Sequence, residues 1–96
     1  MIYEWDGKKG KANQQKHGVS FEEAATIFLD PMALTFPDPH HSFEEEREIT
    51  IGYSNTGKVI FMSHCPRGDR IRIISARKAT RRERKQYEEG ISKEIG

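Results

Sequence analysis

Apolar positions recur with a helical period through the first third of the chain and with a period of two beyond residue 47, and the turn residues fall where the rhythm changes. Ile2, Tyr3, Glu4 and Trp5 predict a short opening strand, ended by Asp6 and Gly7. Asp6 can accept hydrogen bonds from the free amides of a helix over Lys8 to His17, and Gly18 stops that helix in the left-handed region. Ala12 is its only clearly apolar residue, which predicts a surface helix. Ser20 and Glu23 then have capping-box spacing, with Val19 and Ala24 placed as a hydrophobic staple. Phe21, Ala24, Ala25, Phe28 and Leu29 fall at i, i+3, i+4, i+7 and i+8, a stripe that predicts burial. Pro31 ends the helix, Ala33 to Phe36 read as a second short strand, and Pro37, Asp38 and Pro39 break the chain.

Residues 40 to 46 read as a loop or one helical turn with Phe43 turned inward. Arg47 to Ser54 alternates through Ile49, Ile51 and Tyr53, the turn Asn55, Thr56 and Gly57 follows, and Lys58 to Cys65 returns, which predicts an antiparallel hairpin. A break at Pro66, Arg67 and Gly68 leads to a last strand over Asp69 to Ala76, completing a three-stranded meander. Thr80 and Glu83 offer a second capping box for a helix that starts near Lys78 or Thr80 and ends about Glu89, before Gly90. The tail from Ile91 reads as frayed. The order predicts an α+β class: an antiparallel sheet, built from the C-terminal meander plus short N-terminal strands, with helices packed on one face.

A chain of 96 residues suits one domain over 1–96 with a single modest core. Its net charge of +1 conceals a division, because residues 1–57 carry five Lys/Arg against ten Asp/Glu while residues 58–96 carry eleven against five. The C-terminal half is therefore a basic module and calls for an anionic partner. Cys65 is the only cysteine, so neither an internal disulfide nor a cysteine metal cage can form. The longest apolar run, near Val59 to Met62, is too short for a membrane span, and no secretory pattern opens the chain, so a cytoplasmic location is expected.

Residues 70 to 89 concentrate the positive charge: Arg70, Arg72, Arg77, Lys78, Arg81, Arg82, Arg84 and Lys85 are half of the sixteen Lys and Arg residues. On helical spacing Arg77, Arg81 and Arg84 form one row and Lys78, Arg82 and Lys85 an adjoining one. Such a run is ordinarily a solvated face, here partly neutralised by Glu83, Glu88 and Glu89. The further cations Arg70 and Arg72 on the adjoining strand favour phosphate binding. His64, at a strand end and close to Arg67 in sequence, is the best-placed histidine for proton transfer near neutrality, although a lone histidine there is more often structural. Tyr87 either closes the helix against the sheet or presents a phenol to a substrate. His40 and His41 with Glu44, Glu45 and Glu46 make a poor metal set, since adjacent histidines rarely converge on one ion and no H-E-x-x-H occurs. A solvated acidic loop is the simpler reading, and no metal or cofactor is expected. Neither a phosphate-binding G-x-x-x-x-G-K-[ST] loop nor a nucleophile elbow is present.

Trp5-Asp6, Asn13, the run Lys16 to Ser20 with Glu23-Ala24, Glu46-Arg47, Gly52, the run Arg72 to Arg77, Ala79, Glu83-Arg84 and Tyr87 together resemble the BrnT family of toxins from bacterial type II toxin-antitoxin systems. The likeness covers nearly the whole chain, and the pairing of KHGVSFEEA with RIISARKAT is its most specific part. The resemblance implies a small RelE-like toxin fold and an RNA-cleaving activity that arrests translation. It also implies neutralisation by a cognate BrnA antitoxin that binds operator DNA.

Metal-free RNA cleavage uses the substrate's own 2′-hydroxyl, so the protein must remove a proton, stabilise the phosphorane charge and protonate the leaving oxygen. Arg72, Arg77, Arg81 and Arg84 suit the charge, with Arg67 contributing from its loop, because a guanidinium forks onto phosphate oxygens and stays ionised. His64 and Tyr87 are the acid-base candidates, and Glu83 could instead orient an arginine. Arg70, Lys78, Arg82, Arg84 and Lys85 are expected to steer RNA, and an acidic or apolar antitoxin segment to dock over Arg72 to Tyr87. The alternatives are a non-enzymatic ParE-like toxin gripping a protein target and a plain nucleic-acid-binding module using the basic helix.

Overall fold

The computed structural model describes residues 2–41 and 45–90; Phe43 and the tail from Ile91 lie outside them. The opening strand β1 spans Ile2–Glu4. Asp6 then accepts from the amides of Lys8 at 2.8 Å and Lys9 at 3.1 Å, opening α1 over Gly7–His17, and Gly18 closes it at a φ of 71°. Ser20 accepts from the Glu23 amide at 3.0 Å to open α2, Phe21–Ala25. The Glu23 side chain turns away from this cap and accepts from Ser54 Oγ at 2.8 Å and from Thr56 Oγ1, tying the helix to a turn at 54–57.

Beyond Ala25 the chain tightens into a 3-10 helix, Thr26–Leu29. Three residues per turn in place of 3.6 rotate Ile27 into the core and Leu29 out to 82% exposure, so the expected stripe is corrected at its C-terminal end.

The remaining strands are β2 Leu34–Pro37, β3 Glu48–Tyr53, β4 Val59–Arg67 and β5 Arg70–Lys78, in the sheet order β1-β5-β4-β3-β2. The pairs β2/β3, β3/β4 and β4/β5 are antiparallel, while β1 lies parallel to β5 with Glu4 opposite Arg72. The sheet is thus mixed, not antiparallel throughout. No hairpin dictates the direction of β1, and its course along β5 carries the chain to where Trp5 meets Phe21 edge to face. The β4–β5 turn is also tighter than expected: Pro66 and Arg67 remain in β4, and Gly68, at a φ of 63°, turns the chain with Asp69.

One face of the sheet presents Ile60, Met62, Ile73 and Ala76 to Val19, Phe21, Ala24 and Ile27. Asn13 locks this layer: its Nδ2 donates to the carbonyls of Val19 (3.0 Å) and Ala76 (2.7 Å), and its Oδ1 accepts from the Ala76 amide. Gly52 lets the 3-10 helix lie close, since a Cβ there would sit 3.1 Å from Ala33 Cβ and 3.2 Å from Ile27 Cβ.

The other face gathers Ile49, Ile51 and Val59 with Phe36, Phe61, Ala79 and Tyr87, the last carried by α3, Arg81–Glu88. Helices therefore cover both faces, correcting the one-sided arrangement expected. Both halves of the Thr80–Glu83 capping box are made, at 3.2 and 2.8 Å. Because β5 continues through Lys78, Arg77 and Lys78 belong to the strand, and the row of Arg77 with Arg81 and Arg84 is not a helical face. Among the described residues no helix is long and apolar enough to cross a membrane.

Candidate active site

Register decides which side chains share the face that α3 leaves partly open. Phe61 lies opposite Arg77 and Ser63 opposite Ser75, after which a β-bulge shifts the pairing so that His64 faces Ile73 and Cys65 faces Arg72. Ile74 is the extra residue. Without it Arg72 and Ser75, three apart in sequence, would point to opposite sides; with it Arg72, Ser75 and Arg77 share one face.

A cleft of about 610 Å³ opens on this face. Phe36, Ile49 and Phe61 make its apolar floor, Ser63, Ser75 and Arg77 one polar side, and the turn 37–41 with Arg47 the other. Arg77 is held rigidly: its Nη1 and Nη2 donate to Glu83 Oε1 at 2.7 Å and Oε2 at 3.0 Å, and its guanidinium carbon lies 4.1 Å from the Phe61 ring centroid. A third contact, Nη1 to the Lys78 carbonyl at 3.3 Å, fixes the tilt, and the guanidinium has more donors than these contacts use. The Glu83 hydrogen bonds raise the Arg77 pKa further, so the cation is permanent. Burial pushes the Glu83 carboxyl up, but hydrogen bonds from Arg77 and the Thr80 amide outweigh it and hold the group below the usual carboxylate range.

Across the cleft, His41 Nδ1 lies 3.0 Å from Asp38 Oδ2. Asp38 is itself tied to the strand side, its amide donating to the Arg47 carbonyl at 2.9 Å.

The other expected site residues are dispersed. Arg70 and Arg72 share the Glu4 carboxylate, at 3.6 and 3.3 Å, on the β1/β5 margin. Arg67 pairs with Glu45 at 3.1 Å. Arg81, Arg82, Arg84 and Lys85 are exposed on α3; Lys78 and Arg84, with Lys58, line a separate hollow of about 250 Å³.

His64 lies on the opposite face, 1% exposed, with its ring edge against Phe28 and its Nε2 2.7 Å from Thr50 Oγ1. Burial depresses its pKa to about 4, so it is a neutral imidazole in the core. Tyr87 donates its hydroxyl proton to Asp30 Oδ2 at 2.5 Å, and Asp30 also accepts from the amides of Tyr53 and Met32. Burial, aided by the Asp30 carboxylate, pushes the phenol up to about 12. Neither His64 nor Tyr87 lines the cleft.

Sequence reasoning therefore singled out Arg77 and Glu83 but missed Asp38, His41, Arg47, Ser63 and Ser75 as cleft residues. The usable signal is the i, i+3 spacing of Asp38, set between Pro37 and Pro39, and His41, which composition alone places only as a metal-ligand candidate beside Glu44 to Glu46. Among the described residues no three His, Cys, Asp or Glu side chains are placed to hold a metal ion.

A family model described as "Ribonuclease toxin, BrnT, of type II toxin-antitoxin system" matches residues 5–83, a span that contains the cleft, Arg77 and Glu83. The crystal structure of the Brucella abortus ribonuclease toxin BrnT is similar at 26% sequence identity and a TM-score of 0.65, covering 84% of this chain and 100% of that one. No curated protein matches. The match across most of the chain, and the shared structure, show that this chain belongs to the BrnT family of ribonuclease toxins of type II toxin-antitoxin systems.

Proposed function

We propose that the chain is a cytoplasmic endoribonuclease toxin, a single domain over 1–96 with the RelE-like toxin fold, which cleaves RNA by 2′-hydroxyl attack without a metal and so inhibits translation. The observation that carries this reading is the guanidinium of Arg77, fixed by Glu83 and Phe61 at the side of an apolar-floored cleft. A scissile phosphate in the cleft meets a permanent, oriented cation, and the excess charge of the phosphorane falls on donors that need no reorganisation. Phe36, Ile49 and Phe61 suit the face of a nucleobase next to that phosphate.

Around this centre the remaining cations act at longer range. Arg67, Arg70 and Arg72 at the sheet margin, and Lys78, Arg81, Arg82, Arg84 and Lys85 near or on α3, guide the RNA backbone toward the cleft. His64 supports the sheet from behind the cleft, and Tyr87 seats α3 beside it on the same face. A BrnA-type antitoxin neutralises the toxin by covering the surface from Arg72 to Tyr87, and the resulting complex binds operator DNA.

The test is incubation of the purified chain with a defined RNA in the presence and absence of EDTA. The expected result is a chelator-insensitive break leaving a 2′,3′-cyclic phosphate, lost by roughly hundredfold or more in Arg77→Ala. Intact RNA at stoichiometric protein would overturn the nuclease reading and favour a ParE-like grip on a protein target through the basic helix.

A further inference from the structure

We infer that His41, oriented by Asp38, is the group that takes the proton from the attacking 2′-hydroxyl; the inference rests on the ribonuclease reading above and assigns its missing base. Asp38 and His41 form a pair built like a catalytic dyad. The Asp38 side chain is only 13% exposed whereas that of His41 is 64% exposed, so the carboxylate is shielded and the ring is reachable from the cleft. An ionised carboxylate can only accept, so the proton of the neutral ring resides on Nδ1 at 3.0 Å and the Nε2 lone pair is available.

The pair is also anchored well enough to hold its aim. Pro37 and Pro39 restrict the backbone on both sides of Asp38, the His41 amide donates to the Asp38 carbonyl at 3.3 Å, and the Asp38 amide is bonded to the Arg47 carbonyl. His41 and Arg77 both line one cleft, the first from the turn after β2 and the second from β5, so a nucleotide held in the cleft lies between the two groups. His64 cannot substitute, being enclosed on the other face of the sheet.

In the step, the 2′-oxygen to phosphorus bond forms as the phosphorus to 5′-oxygen bond breaks. The 2′-hydroxyl proton passes to His41 Nε2, the 5′-oxygen takes a proton from water, the hydroxide so left takes the proton from the His41 imidazolium to restore the neutral ring, and the products are a 2′,3′-cyclic phosphate and a 5′-hydroxyl. Asp38 is a positioning residue: it sets the tautomer and stabilises the imidazolium that forms. Among the described residues, the other charged or titratable groups facing the cleft are His40 on the same turn, Arg47 at the entry to β3 and Arg77 on β5.

Cleavage of a defined RNA is compared for wild type, His40→Ala, His41→Ala, Asp38→Asn and Arg77→Ala, across pH and with added imidazole. His41→Ala is expected to lose roughly 10²–10³-fold in kcat with KM little changed, to lose the acid limb of the pH profile, and to recover in part with imidazole. Asp38→Asn, which frees the ring to adopt the wrong tautomer, is expected to lose nearly as much kcat as His41→Ala, again with KM held. Wild-type cleavage by His41→Ala beside an inactive Arg77→Ala would remove the dyad and leave the ribonuclease reading standing. Loss in His41→Ala without imidazole rescue and with the acid limb intact, or loss in His40→Ala instead, would likewise overturn it. An inactive wild type would overturn both readings.

Discussion

Arg77 and Glu83 are joined by two parallel hydrogen bonds, 2.7 and 3.0 Å, across the junction of β5 and α3, and the same Glu83 carboxylate accepts from the Thr80 amide to cap that helix. One side chain therefore sets both where α3 begins and which way the cleft's fixed cation points. Glu83→Gln keeps the shape but places amide hydrogens against a guanidinium. It should lower the RNA-cleavage rate about tenfold and destabilise the fold by about 1–2 kcal/mol, read from initial rates and urea midpoints. Arg77→Lys keeps the charge without the fork and should cleave little better than Arg77→Ala.

Burial of the His64 imidazole should make the fold sensitive to mild acid. Its folded pKa, about 4, lies below the ordinary 6.5, so the unfolded chain binds the proton more readily. Its stabilising contribution is complete above pH 6.5 and is lost progressively as pH falls from 6.5 toward 4, by roughly 3 kcal/mol in all. Thermal midpoints of wild type and His64→Gln across that range should converge in acid. Parallel curves would show that another group governs the acid limb.

Tyr87→Phe separates a supporting phenol from a chemical one. Removing the hydroxyl leaves Asp30 with its two backbone donors and breaks the tie that seats α3 against the loop after the 3-10 helix. A loss of about 1–2 kcal/mol in stability is expected, with RNA cleavage within about twofold of wild type. A large fall in kcat at unchanged stability would restore Tyr87 to the reacting groups.

Asn13→Ala removes three buried hydrogen bonds at once and strands both the carbonyl and the amide of Ala76. The expected cost is about 2–4 kcal/mol by urea denaturation. Asn13→Asp should be at least as damaging, because a carboxylate cannot donate to the Val19 and Ala76 carbonyls. Arg77 follows Ala76 in β5, so both variants should also weaken cleavage under conditions where they remain folded.

Features written within a few residues of one another were legible without the fold. Asp6 and Gly18 bracket the first helix, Ser20 opens the second, and Thr80 with Glu83 caps the third, because a cap joins groups only two or three residues apart. The alternation of Ile49, Ile51 and Tyr53 likewise predicted a strand with one apolar face. The switch to a 3-10 helix at Thr26 was not legible from periodicity, since Ile27, Phe28 and Leu29 are apolar at every phase.

The sequence by itself determined most of the elements and the basic C-terminal half, and it marked Arg77 as a candidate. Tertiary structure alone decided the rest. A bulge at Ile74 sets Arg72, Ser75 and Arg77 on one face, β1 chooses a parallel course along β5, and His64 turns into the core while His41, thirty-six residues from Arg77, comes to share its cleft. The physical reason is range: caps and periodicity act over one or two turns of chain, whereas strand register and the face a side chain occupies are settled by the apolar surfaces that must be buried together.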